Sequence, residues 1–74
     1  MLIIHYEEEA KENLFRHLSK QDYTIKSKTV NSHITELTLE LKIIGMDTSF
    51  VEEIAEIEGV NSVSLVSYNG NFVS

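Results

Sequence analysis

Leu37, Leu39, Leu41 and Ile43 recur at every second position of a segment whose intervening residues are Thr38, Glu40 and Lys42. No other feature constrains the fold as strongly. A strand turns successive side chains to opposite faces, so residues 34–44 read as one long strand with an apolar face and a polar one. Such a face has to be covered by a second layer. The chain must supply that layer within 74 residues, which leaves room for one domain spanning 1–74.

The remaining segments are read in relation to that strand. Leu2 to Tyr6 is a short β-type run with few polar residues, as expected of a central strand. Glu7-Glu8-Glu9 follows, and then Ala10, Leu14, Phe15 and Leu18 fall at helical spacing. The acidic triplet suits the positive end of a helix dipole, and Arg16, His17 and Lys20 suit the negative end. The spacing predicts a helix over 7–20. Tyr23 to Val30 alternates, with Tyr23, Ile25, Ser27 and Thr29 on one face and Thr24, Lys26, Lys28 and Val30 on the other. Asn31-Ser32-His33 then forms a polar turn, which makes a hairpin with the long strand and brings lysines opposite Glu36 and Glu40.

Gly45 to Ser49 breaks the long strand and opens a second helix, in which Ser49 and Glu52 fit a capping box. Phe50, Ile54 and Ile57 share its apolar face, and Gly59 fits the end of the helix. In the last strand Val63 and Leu65 alternate with Ser62, Ser64 and Val66. Tyr68-Asn69-Gly70-Asn71 reads as a turn and Phe72-Val73 as a brief final pairing. The order β-α-β-β-α-β defines the fold class: α+β, ferredoxin-like. The expected architecture is a four-stranded antiparallel sheet of order 4-1-3-2 with two helices on one face.

Composition excludes whole classes of function. The chain has no cysteine, so no disulfide can staple it, and its 42% apolar residues must supply the core. Twelve acidic residues against six basic give a net charge of −6, the wrong field for a phosphate backbone or for anionic lipid. The apolar runs Leu2-Ile3-Ile4 and Leu41 to Ile44 are far shorter than a membrane span, and the residues after Met1 are not expected to act as a signal peptide.

Catalytic chemistry has little to work with. His5, His17 and His33 lie on three different elements, with no ligand spacing between any two. His5 reads as a packed or edge imidazole. No serine lies in a G-x-S-x-G elbow, and the glycines at 45, 59 and 70 are too dispersed for a phosphate loop. The carboxylate pairs Glu52-Glu53 and Glu56-Glu58 are expected on solvated surface, without a desolvating pocket to separate their pKa values. The chain is therefore expected to be no enzyme and to use no cofactor or metal. The loop Tyr6-Glu7-Glu8-Glu9 lacks the cysteines of soft-metal chaperones of this shape. Thr38, Glu40 and Lys42 replace the stacking aromatics of RNA-recognition motifs. Amino-acid-sensing ACT domains resemble the pattern better, although the first loop lacks their glycine or Asp/Asn turn.

Three segments carry a closer resemblance: Ser27-Lys28-Thr29-Val30, Asp47-Thr48-Ser49-Phe50-Val51, and Gly59-Val60 through Leu65-Val66-Ser67-Tyr68-Asn69-Gly70. Together they resemble the C-terminal cytosolic domain of an uncharacterised family of prokaryotic multi-pass membrane proteins, a domain of unknown function. The resemblance covers nearly the whole chain, and the L-V-S-Y-N-G ending is its most specific part. It implies an excised tail at the cytoplasmic face of the inner membrane, on a parent described as transporter-like. It implies no catalytic residues.

A regulatory or protein-interaction role is therefore the leading expectation, with ACT-like metabolite sensing as the alternative. The open face of the sheet is expected to carry Thr24, Lys26, Lys28, Thr38, Glu40, Lys42, Val66 and Tyr68. Lys26, Lys28, Val66, Tyr68 and Asn69 are its candidate contact residues. Partners would be a second copy or the membrane part of the parent, not nucleic acid.

Overall fold

The computed structural model describes residues 1–41 and 49–66. Its elements are β1 (Leu2–Glu7), a 3-10 turn (Glu8–Ala10), α1 (Lys11–Leu18), β2 (Tyr23–Asn31), β3 (Ile34–Leu41), α2 (Ser49–Ala55) and β4 (Val60–Leu65). The fold is α+β, with one four-stranded antiparallel sheet and two helices, consistent with a ferredoxin-like arrangement. The strands lie in the order β2-β3-β1-β4, which counted from the other edge is 4-1-3-2.

One core joins sheet and helices. Leu2, Ile4 and Tyr6 alternate on one face of β1, and Leu37 and Leu39 continue that face on β3. Ala10, Leu14 and Leu18 from the first helical segment and Ile54 from α2 bury against it, so both helices cover the same side. Phe15, Phe50, Val51, Ile57, Val60 and Val63 close its margin. Tyr6 meets Phe15 edge to face, with ring centroids 6.4 Å apart and planes at 85°, a favoured aromatic geometry.

The first helix is shorter than the spacing predicts. Glu7 stays in β1, its N–H donating 2.7 Å to the Gly59 carbonyl, and a tight 3-10 turn precedes α1 at Lys11. The pairing of β1 thus claims the first residue of the acidic triplet. Glu8, Glu9 and Glu12 remain near the N-terminal end, and Arg16 and His17 lie in the last turn, as a helix dipole favours.

The larger correction concerns β2. Ile25 pairs with Leu39 and Ser27 with Thr38, which leaves Lys26 without an opposite number. This bulge reverses the alternation. Lys28 now opposes Leu37 and Val30 opposes Thr35 on the helix-bearing side, while Ser27 and Thr29 take the open face. The expected partnership of a lysine with Glu36 is therefore not made, whereas Lys26 does reach Glu40 at 3.4 Å. A second irregularity, between His5–Ser62 and Tyr6–Val60, leaves Asn61 unpaired. It lets Val60 and Val63, three residues apart, both pack against the core.

Candidate functional site

The helix-free face of the sheet carries a row of polar groups crossing three strands. Its register places His5 of β1 opposite Glu36 of β3 on one side and opposite Ser62 of β4 on the other. The His5 Nδ1 lies 3.0 Å from Ser62 Oγ, and its Nε2 lies 3.1 Å from Glu36 Oε2. A carboxylate can only accept, so Glu36 takes the Nε2–H. In the neutral imidazole Nδ1 is then left to accept the Ser62 hydroxyl. Thr29 of β2 stands opposite Glu36 and extends the row to the far edge.

Hydroxyl, imidazole and carboxylate in series are the parts of a nucleophilic relay. The surroundings argue against that use. The His5 and Glu36 side chains are 41% and 45% exposed. Neither of two clefts lined by described residues includes any member of the row. Acyl transfer needs donors converging on a developing oxyanion in a place from which water is excluded. Among the described residues none walls in this imidazole. The row's evident physical role is to tie three strands together laterally while presenting hydrogen-bonding groups to solvent.

Sequence reading makes His5 a packed or edge imidazole; it stands instead on the open face of a central strand, 41% exposed, and its partners are missed. Ser62 and Glu36 lie 57 and 31 positions away along the chain, and only the register of two separate ladders brings them together.

The three candidate contact residues that are described do not form one patch. Lys26 is on the open face, ion-paired with Glu40. Lys28 is exposed on the opposite side of the same strand. Val66 is 45% exposed just beyond β4, where its backbone exchanges hydrogen bonds of 2.7 Å with Met1. Strands β2 and β4 are opposite edges of the sheet, about 14 Å apart at ordinary strand spacing. Tyr68, Asn69 and Lys42 lie outside the described residues, as does most of the L-V-S-Y-N-G segment.

Of the two clefts, one is lined by Glu8, Glu9, Lys11, Glu12 and Phe15. The other, of about 240 Å³, lies where the end of β1 meets the β2–β3 hairpin, between Glu7, Glu8 and Glu9 and the side chains of Val30, Ser32, His33 and Thr35. Beneath it, Thr35 hydrogen-bonds the buried Tyr6 phenol. Burial pushes the phenol's pKa up, the Glu8 charge adds to the rise, and the Thr35 hydrogen bond opposes both. Among the described residues no group of three or more His, Asp or Glu side chains is placed to hold a metal ion.

Comparison with known protein families and with curated proteins finds no match. No helix among the described residues is long and apolar enough to cross a membrane.

Proposed function

We propose that this chain is a non-catalytic interaction domain that regulates or recruits through protein contact. The observation that carries the proposal is the uncovered half of the sheet. Both helices bury against one face, which leaves the other presenting the Ser62–His5–Glu36 row and the Lys26–Glu40 pair to solvent. Hydrogen-bonding groups held on a strand scaffold, outside the two clefts lined by described residues, suit a protein surface better than a small substrate. The setting we favour is the one implied by the sequence resemblance, the cytosolic tail of a multi-pass membrane protein, in which the ferredoxin-like domain contacts the membrane part or a second copy.

A second reading, ACT-like sensing of a metabolite, draws support from the cleft between Glu7–Glu9 and His33. A ¹H–¹⁵N correlation spectrum titrated with amino acids, nucleotides, inorganic phosphate and divalent ions separates the two. The interaction reading expects no saturable shift with any of these compounds. Saturable shifts confined to residues 6–10 and 30–35 would replace it with the sensing reading.

A further inference from the structure

We infer that the outer edge of β4 pairs with the same edge of a second copy, antiparallel about a two-fold axis at Ser64, so that two sheets become one. This rests on the interaction reading and names its surface and its partner. Among the described residues β4 stands at the sheet border, bonded to β1 alone. Its backbone phase follows from hydrogen bonds it already makes. Val66 and Met1 exchange both of theirs, each 2.7 Å long. Bonded and non-bonded pairs alternate along an antiparallel ladder. The register Leu2–Leu65, Ile3–Ser64, Ile4–Val63 therefore turns the backbone of Ser64 toward β1. The N–H and C=O groups of Val63 and Leu65 point away from it, along the outer edge.

Phase, side and charge together select the occupant. About an axis at Ser64, Val63 meets the partner's Leu65 and Leu65 meets the partner's Val63, so the outward N–H and C=O groups of each find their complements. An axis between two residues would set an outward backbone against an inward one. An axis at Val63 would set Leu65 against the partner's Asn61, the residue that the β1 ladder already skips. Side chains directly opposite share a face. Val63 and Leu65 stand opposite Ile4 and Leu2, on the helix-bearing side. The pairing sets them against each other there and covers Leu65, which is 41% exposed. Val66, 45% exposed, meets the partner's Ser62 on the open side. Two chains of net charge −6 repel, yet residues 59–66 carry no charged side chain. No like charges are thus opposed in the new ladder, and repulsion from the rest is screened beyond about 8 Å at physiological salt. The opposite border, β2, is interrupted midway by the unpaired Lys26, a feature that obstructs such pairing.

The test is sedimentation equilibrium of the chain over a dilution series, with ¹H–¹⁵N spectra at each concentration. The expected result is a reversible monomer–dimer equilibrium that strengthens with added salt, and concentration-dependent shifts centred on residues 62–66. Ser64→Lys and Ser64→Glu each put like charges face to face at the axis and should weaken dimerisation about fivefold or more. Ser64 is exposed, so both variants should keep the wild-type fold, which their spectra check. Mixed in equal amounts, they should pair with each other at least about tenfold more tightly than either pairs with itself. A chain that stays monomeric at about 1 mM, a variant that dimerises as the wild type does, or a mixture no tighter than its components would overturn the inference. Shifts centred on residues 23–31, or on His5 and Glu36, would also overturn it while leaving the interaction reading intact. That broader reading fails separately, on small-molecule binding in the preceding titration.

Discussion

Gly59 and Ala10 are in such close contact that a Cβ built on the glycine would lie 2.9 Å from the alanine Cβ. It would come equally close to Glu9 Cγ, and Gly59 itself has φ +97°. The contact sits where the connection from α2 into β4 meets the entrance to the first helix, beside the Glu7–Gly59 backbone bond of 2.7 Å. Steric overlap and a left-handed backbone both oppose a side chain here. Gly59→Ala should therefore cost about 2 kcal/mol or more in urea unfolding. A loss below about 0.5 kcal/mol would mean that the two segments separate easily.

The positive φ of Ser32, +32°, is the one such value at a non-glycine among the described residues. Ser32 and His33 form the two-residue connection between paired Asn31 and Ile34. Glycine tolerates this conformation where serine is strained. Ser32→Gly should raise stability by about 0.5 kcal/mol, the relief of strain being partly offset by the greater freedom of glycine in the unfolded chain. Thermal unfolding of the two proteins side by side decides it, and a lowered midpoint would contradict the expectation.

Tyr6 makes the fold sensitive to alkali. Its pKa in the folded chain is raised above the ordinary 10.0, with burial as the main cause. The native state therefore holds this proton more tightly than the unfolded state does. The resulting contribution is fully present below pH 10.0 and is lost as pH rises through the folded-state value. Tyr6→Phe should remove this part of the alkaline loss. At neutral pH it should cost about 1 kcal/mol, because the buried Thr35 hydroxyl loses its phenol partner. Stability measured against pH for both proteins tests the two effects together. Parallel curves above pH 10 would show that other groups set the alkaline limit.

The polar row should contribute little energy for its length. His5 and Glu36 are each nearly half exposed, and exposed cross-strand pairs contribute about 0.2–1 kcal/mol. A double-mutant cycle with His5→Gln and Glu36→Gln should return a coupling in that range. A coupling above about 2 kcal/mol would show that the open face is more shielded than a bare sheet surface.

Much of the fold was legible because its signals are local. The alternation from Leu37 to Leu41, the helical spacing of Ala10, Leu14 and Leu18, and the position of Ile54 all found their expected places in one core. What escaped depended on ladder register. A period-two reading assumes that no residue is skipped, so it put Lys28 and Val30 on the wrong side of β2 and did not anticipate the unpaired Lys26 and Asn61. The helix start was missed because the Glu7 amide bonds to Gly59, a partner distant in sequence. The Ser62–His5–Glu36 row was hidden for the same reason, since each member is unremarkable within its own strand.

The unpaired Lys26 has a consequence for how the gene can change. Residues 23–25 and 27–31 already pair in consecutive steps with β3, so excising codon 26 closes the ladder without moving any other residue from its place. Most single-residue deletions inside a strand invert everything on one side of the cut. This one would leave a straight, continuous border of nine minus one residues, with the Glu40 ion pair gone and one fewer positive charge. The shortened chain should still fold. Its exposed border, however, would now accept the same border of a neighbouring molecule, so its solubility should fall with concentration while its monomer remains intact.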